Sequence, residues 1–451
     1  MDERPNNHNS ISNATTYSLA DLASITKGVL ITDSDTPNTF EHLLYDSRKL
    51  VFPKNTLFIA LSGKRRNGHQ YIKNLYEQGV RSFLVEKKPN IKEMPEAGFV
   101  RVSDTLSALQ DLATHHRSKF QIPVIGITGS NGKTIVKEWL SQLLKDRHNI
   151  IRSPQSYNSQ IGVPLSVWNI APNHTLGIFE AGISQPKEMS QLASIIQPTI
   201  GIFTNIGDAH SGGFTSEKKK INEKLDLFKK ASHLIYCQDH KAIHQQIQKH
   251  FSGNKLSWST KTTAYLQVTN IDITNQGITK ITGKRADKIY HIILPFTHQA
   301  AIENAIHCWV ACLFLKLPIR QIHARMQQLE PVAMRLELKA GINNCLLIND
   351  SYSADLNALT TALQFMIRQS KRDQKRTLIL ADILGARLDK NALYKKVATM
   401  FSQNRIDRLI GIGTAIKSVK KHLDNNIKSN FSCLFFVSKA NSIIYYHTHH
   451  H

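Results

Sequence analysis

The stretch "GITGSNGKTIVKEWL", residues 126–140, spaces Gly126, Gly129 and Gly132 three apart and follows them with Lys133 and Thr134. A glycine-rich turn between a strand and a helix aims backbone N–H groups and a helix N-terminus at an anion. In that geometry Gly129, Ser130, Asn131 and Gly132 cradle a nucleotide's phosphates, Lys133 reaches the β- and γ-phosphates, and the Thr134 hydroxyl ligates Mg2+. The strict phosphate-loop pattern places its first glycine six residues before the lysine, where this chain has Ile127. A strand–turn–helix corner without a ligand is the competing reading; phosphate binding is the expectation.

Other polar residues follow apolar runs. Glu180 comes after "TLGIF", and Asn205, Asp208 and His210 lie in "TNIGDAH". A carboxylate one strand away from a phosphate loop is a natural second anchor for Mg2+, and His210 could supply a nitrogen ligand to a second metal. Taken singly, Glu180 reads equally as a structural carboxylate and His210 as a surface histidine.

These residues need a scaffold. "IPVIGIT" has the pattern of a buried strand and "TIVKEWLSQLL" that of an amphipathic helix. "TLGIFEAG" and "TIGIFTNIG" are apolar strands ending in glycine, as in a parallel sheet whose ligands gather at the carboxyl ends. "AYLQVTNIDITNQGITKITGKRADKIYHIILPF" alternates around an "NQG" turn, and "AAIENAIHCWVACLFLKL" reads as a helix. Upstream, "SLADLASITKG", "QYIKNLYEQG" and "RSFLVE" alternate helix and strand as in a small α/β unit. The expected fold is α/β in three domains: residues 1–118, a central 119–334 built on the phosphate loop, and 335–451 from "RLELKAGINNCLLINDSY" onward.

Composition narrows the class. With 451 residues and 41% hydrophobic content the chain can bury several cores, and no apolar run approaches a membrane span. The polar N-terminus lacks the apolar core of a signal peptide, so a cytoplasmic protein is expected. The five cysteines form no metal pattern; Cys308 and Cys312 read as core thiols on a helix. A balance of 57 Lys+Arg against 34 Asp+Glu is strongly basic. The basic residues are scattered, without zinc-finger spacing or aromatic interleaving, so attraction for an anionic small substrate is expected rather than specific nucleic-acid binding.

Five stretches, "GITGSNGKT", "SYNSQIGVPLSVW", "FEAGIS", "TNIGDAH" and "MRLE…INDSY", stand in the order and at the intervals of the Mur ligases, the ATP-dependent amide-forming enzymes of peptidoglycan synthesis. The chain resembles that family over roughly residues 120–360, and "YDSRKLVFPKNTLFIALSGKRRNGHQYI" resembles its UDP-sugar domain. The resemblance implies a UDP-binding first domain, a central ATPase domain and a Rossmann-like third domain. It implies ATP and Mg2+ as cofactors. The wording is nearest the members that join D-alanyl-D-alanine to UDP-N-acetylmuramoyl-tripeptide, including the form fused to an alanine racemase. A substrate carboxylate would attack the γ-phosphate, and the dipeptide amine would then displace phosphate from the acyl phosphate.

By the same resemblance Thr134 and Glu180 hold the first metal, and His210 belongs to a second. Lys224 falls where the family carries a carbamylated lysine, with Lys220 the nearest competitor in "EKKKINEK". Asn158 lies near the phosphates, Asn304 near adenine, and Arg335 and Asp350 contact phosphate and ribose. Ser47 and Arg48 of "DSR" match the UDP contacts, and His69 also fits. From the residues alone, Lys224 is a solvated helix lysine and "DSR" a polar turn.

The chain also departs from the family's wording. Asn349, Ser353, Asp355 and Leu356 replace residues usual around the tyrosine of the third-domain motif, although Asp350 is kept. The late lysine–glycine motif is missing before "HTHHH", so the third domain is expected to be incomplete. A catalytically impaired UDP-sugar and nucleotide binder, or a Mur ligase adding a single amino acid, are the alternative readings. A monomer is expected.

Overall fold

The computed structural model describes residues 15–33, 38–63, 67–207, 213–274, 277–352, 354–370, 374–383, 388–423 and 431–437. The first region opens with β1 (Tyr17–Ser18) and α1 (Leu19–Thr26). The helix starts where Ser18 and Asp21 cap each other, the Asp21 N–H donating to Ser18 Oγ and the Ser18 N–H to Asp21 Oδ2. β2 (Val29–Ile31) follows, and β3 (Thr39–Phe40) pairs with β1. β4 (His42–Leu44), β5 (Thr56–Ile59), β6 (Ser82–Val85) and β7 (Gly98–Arg101) run parallel, with β2 antiparallel at the edge. α2 (Ile72–Glu77) and α3 (Thr105–Ser118) complete this small α/β layer.

The central region is a nine-stranded sheet. In chain order its elements are β8 (Val124–Thr128), α4 (Lys133–Leu144), β9 (Ile150–Arg152), α5 (Gly162–Trp168), β10 (Leu176–Glu180), α6 (Glu188–Ile196), β11 (Ile200–Phe203) and α7 (Glu217–Leu225). There follow β12 (His233–Cys237), α8 (Lys241–His250), β13 (Asn254–Ser259), β14 (Leu266–Ile273), β15 (Thr279–Arg285), β16 (Lys288–Leu294), α9 (Gln299–Phe314) and α10 (Ile319–Gln327). The spatial order is β16-β15-β14-β13-β12-β11-β8-β10-β9.

Every residue of β8 and β10 is buried, because helices cover both faces of the sheet. Val136, Trp139, Leu140 and Leu143 of α4 pack with α9 on one face. Val163, Val167 and the apolar face of α6 cover the other. β8 pairs in parallel with both β10 and β11, so the strand order reverses there and opens a crevice at the carboxyl ends. β14 leaves β13 in parallel register and then forms antiparallel pairs with β15 and β15 with β16. Of the "NQG" turn only Gly277 is described, at φ +81.

Beyond α10, β17 (Glu337–Ala340) and β18 (Leu346–Asn349) form an antiparallel hairpin. α11 (Leu356–Gln369), β19 (Thr377–Ala381), α12 (Lys390–Gln403), β20 (Arg408–Ile412) and β21 (Ser432–Phe436) follow, the last three strands parallel in the order β19-β20-β21. Leu363, Tyr394, Val397, Phe401 and Leu409 fill their core. No helix among the described residues is long and apolar enough to cross a membrane.

An aromatic cluster joins the first region to the central one. Trp168 of α5 sits within 5.1 Å of Tyr17 and 4.7 Å of His116, centroid to centroid, and its indole N–H donates to Glu41 O at 2.8 Å. His116 is buried and contacts Tyr17 OH and Ile170 O, each at 3.0 Å. As neutral imidazole, its Nε2–H donates to Ile170 O and its Nδ1 accepts from the Tyr17 hydroxyl.

Burial pushes the His116 imidazole down from 6.5 to about 4. Between those values the unfolded chain binds the proton that the folded chain refuses. The contribution is therefore complete above the unfolded pKa and is lost as pH falls through the folded one. Stability measured by urea unfolding should fall between pH 6.5 and 4 by on the order of 3 kcal/mol from this residue. His116→Gln should flatten that part of the profile; an unchanged slope refutes the assignment.

Candidate active site

β8 ends at Thr128, and the chain turns through Gly129–Gly132 into α4. Gly129 and Gly132 hold φ values of +147 and +84, where L side chains are strained. A Cβ on Gly129 would run into Thr204 Oγ1, and one on Gly132 into Asn304 Oδ1. The loop is thus pressed between the end of β11 and α9. Asn205 secures it, accepting from the Asn131 N–H at its Oδ1 (3.0 Å) and from the Ser130 N–H at its carbonyl (2.9 Å). Those two N–H groups are engaged inside the protein. The anion-facing donors are left at the first turn of α4, where helical N–H groups have no intrahelical partner.

Lys133 curls back over the loop, donating to Gly129 O at 2.9 Å and Ser130 O at 3.1 Å. Burial pulls its ammonium down to about 8, with Glu180 opposing the shift and Arg335 adding to it. Glu180, at the end of β10, has no exposed surface. Its Oε2 accepts from Thr134 Oγ1 at 3.1 Å and from Asn158 Nδ2 at 3.4 Å. Its Oε1 lies 3.1 Å from Lys137 Nζ, an ionic contact without the alignment of a hydrogen bond. Thr134 also shares a hydrogen bond with Ser156 at 2.8 Å.

Arg335 reaches this pair from the start of the third region. Its Nη2 lies 3.5 Å from Thr134 Oγ1 and 3.4 Å from Ser156 Oγ, and its guanidinium stacks 3.8 Å over the Tyr352 ring. Asp350 accepts from the Leu336 N–H at 3.2 Å, and burial raises its carboxyl to about 6. Asp355 caps α11 through the Ala358 N–H at 3.0 Å.

Lys224 is nearly inaccessible on α7, and its Nζ donates to the same Gly129 carbonyl at 3.1 Å. Burial lowers its pKa well below the usual lysine value, and the neighbouring Lys133 and Lys220 push the same way. The shift moves its amine towards the neutral, nucleophilic form. Lys220 is buried as well but turns to Gly207 O at 2.6 Å. Of the two lysines in register, Lys224 is the one that meets the phosphate loop. Neither is a solvated helix lysine.

Asn304 is buried on α9 with its carboxamide against Gly132. Ser47 and Arg48 form a short turn capped by Asp46, whose carboxylate takes the exposed Arg48 guanidinium at 2.8 and 2.7 Å. Lys49 Nζ lies 3.4 Å from Tyr157 OH, so the "DSR" turn borders the loop carrying Ser156 and Asn158. His69 is internally satisfied: its Nε2 accepts from the Glu86 N–H at 2.9 Å, and Nδ1 meets Asn67 Oδ1 at 2.9 Å. His210 and Asp208 lie outside the described residues.

Sequence reading missed several members. Lys137 stands four residues after Lys133 on a face shared with Thr134 and Leu140, a visible but ambiguous signal. Ser156 opens "SYNSQIGVPLSVW", Tyr352 closes "INDSY" and Asp355 follows it, but those stretches do not reveal the contacts of Ser156 with Thr134 or of Tyr352 with Arg335. Behind the loop, His307 bridges Trp258 and the Thr204 carbonyl, at 3.1 and 3.2 Å. Among the described residues no group of three His, Cys, Asp or Glu side chains is arranged to hold a metal. Among the described residues the oxygens of Thr134 and Glu180, with the Ser156 hydroxyl beside them, are hard donors at this place.

The chain matches the Mur ligase family catalytic domain over residues 39–117 and the Mur ligase middle domain over 127–312. It is 26% identical over 419 residues to the UDP-N-acetylmuramoyl-tripeptide–D-alanyl-D-alanine ligase of Bacillus subtilis, covering 91% of this chain and 89% of that one. Against the Escherichia coli ligase of the same name it is 25% identical, covering 83% and 82%. A crystal structure of MurF from Acinetobacter baumannii superposes with a TM-score of 0.82 at 21% identity, covering 97% of this chain and 94% of that one. MurF from Thermotoga maritima, in complex with ADP, gives 0.71 at 19% identity, covering 89% and 95%.

The loop's close fit yields a direct test. Gly132→Ala adds a Cβ that strikes Asn304 at a backbone angle alanine resists, and is expected to weaken ADP binding at least about tenfold by calorimetry. Gly277→Ala is the control, since it carries a similar φ of +81 with nothing within 4 Å of the new Cβ. Equal ADP affinities in the two variants would refute the tight packing of loop against α9.

Proposed function

We infer function from one premise: the chain belongs to the Mur ligase family, whose members are ATP-dependent, ADP-forming ligases. We propose that it joins D-alanyl-D-alanine to UDP-N-acetylmuramoyl-tripeptide, as the names of its relatives state for them. The observation that carries the chemistry is the meeting of Lys133 and Lys224 at the Gly129 carbonyl, beside the buried Thr134–Glu180 pair. Cations packed round a phosphate loop with few carboxylates to neutralise them suit a polyphosphate and a transferring phosphoryl group.

In this reading the first turn of α4, entered through the 129–132 loop, binds the phosphates, and Lys133 leaves its loop carbonyls to steady the γ-phosphoryl group. Arg335 contributes positive charge from the third region, and Asp350 lies where ribose would be held. Thr134 and Glu180 offer two buried oxygens 3.1 Å apart, a donor set that fits Mg2+. When bound, Mg2+ neutralises phosphate charge as the acyl phosphate forms. Lys224, as a neutral amine, can add CO2 through a new N–C bond, a proton leaving to solvent, and its carbamate would be a ligand near the second metal. Asn158 donates to the Glu180 oxygen that meets Thr134, and Asn304 borders the nucleotide side of the loop. Ser47 and Arg48 would take the uridine diphosphate at the border with Tyr157, and His210 a second metal.

The proposal includes three domains, 1–118, 119–334 and 335–451; what supports it is that each range carries its own sheet and core. It also includes a cytoplasmic, monomeric enzyme, in keeping with its nucleotide-linked substrates.

Phosphate release should require ATP, UDP-N-acetylmuramoyl-tripeptide and D-alanyl-D-alanine together. Release with a single amino acid in place of the dipeptide would overturn the proposed acceptor. Lys224→Ala is expected to lose roughly 10²-fold or more in kcat and to recover part of it with added acetate or formate, which replace the missing carboxylate. Full activity without additive would remove Lys224 from the mechanism.

A further inference from the structure

Lys137 has no part in the chemistry just described, yet it is one of the most costly side chains in the protein. It lies one helical turn beyond Lys133 on α4, with no exposed surface. A buried ammonium persists only where its three donors find acceptors. Here Ser153 O lies at 2.7 Å, Gln155 O is also within reach, and the carboxylates of Glu138 and Glu180 stand at 3.0 and 3.1 Å. These partners come from α4, from the end of β10 and from the turn after β9.

That turn is itself constrained. Gln155 sits at φ +48, a left-handed conformation without glycine's freedom, and its carbonyl is one of the acceptors of Lys137. The next residue, Ser156, bonds Thr134 and lies against Arg335. On the other side, Lys137 occupies Oε1 of Glu180 and leaves Oε2 for Thr134 and Asn158. One amine therefore decides which carboxylate oxygen faces the phosphate loop, and where the Ser156 hydroxyl lies beside it.

We propose that Lys137 is a positioning residue that sets the orientation of Glu180, and with it the strength with which the site couples a divalent cation to nucleotide. It touches neither substrate nor metal. The proposal rests on the reading of Thr134 and Glu180 as the metal-holding pair.

The test uses the full chain, ADP, and Mn2+ as the probe cation. ADP affinity is measured by calorimetry with Mn2+ and with EDTA, and the ratio gives the metal-dependent strengthening; Mn2+ binding is followed in parallel by its paramagnetic resonance. Lys137→Met should lose at least tenfold of that ratio while metal-free ADP affinity stays within twofold, and Lys137→Arg should recover part of it. Equal weakening with and without metal would mean a merely structural role and overturn the proposal. Glu180→Gln separates the two readings. If it keeps the full ratio, Glu180 holds no metal and the underlying reading fails. If it loses the ratio while Lys137→Met keeps it, only the present proposal fails.

Removing the amine strands a buried carboxylate, so Lys137→Met alone can misfold. The double variant Lys137→Met with Glu180→Gln has no such stranded charge. Because Lys137 acts through Glu180, the double variant should show the same metal-dependent ratio as Glu180→Gln alone. A further fall in the ratio overturns the proposal.

Discussion

A carboxylate without exposed surface stands at the centre of this protein, and the surrounding architecture is what makes it tolerable. Glu180 closes β10 between the phosphate loop and the turn after β9. A buried charge of this kind is stable only when ion-paired and hydrogen-bonded. Lys137, Thr134 and Asn158 meet that requirement from one helix and one loop. The strand order supports the arrangement, since the reversal at β8 gathers the ends of β10 and β11 round the loop.

Charge in the site is unbalanced by design of its packing. Lys133, Lys224 and Arg335 converge on a region whose nearby carboxylates are Glu180, Asp350 and Asp355. Burial lowers Lys133, Lys224 and Arg335 and raises Asp350, which is the signature of groups held away from water. A polyphosphate brings the compensating charge. The wider excess of 57 Lys+Arg over 34 Asp+Glu favours the approach of such anionic substrates.

The turn at 153–158 ties the molecule together. Ser156 meets Arg335 from the third region, Tyr157 meets Lys49 from the first, and Asn158 meets Glu180 in the centre. A six-residue segment thus senses all three. The Trp168 cluster, a few residues on, anchors the first region against α5. The third region meets the Thr134–Glu180 pair both through this turn and directly, by Arg335 on Thr134.

The sequence by itself determined what is local. Glycine spacing and the flanking apolar patterns specify strand, turn and helix at 124–144, because periodicity and backbone freedom are properties of neighbouring residues. Apolar strands ending in polar residues placed Glu180 and Asn205 at the carboxyl ends of a parallel sheet. Tertiary structure alone decided the state of the charges. "INEKLDLF" reads as a solvated helix, and only packing of α7 against the loop strips Lys224 of water and turns it to the Gly129 carbonyl. Lys137 lies four residues from the phosphate-loop lysine, yet nothing in its neighbours reveals that it ends beneath Glu180. Asn205, one of the polar residues that end these strands, uses its side chain and carbonyl to secure the loop, a role only packing assigns. Burial, and therefore pKa and hydrogen-bond partner, depends on residues tens to hundreds of positions away, which no local pattern encodes.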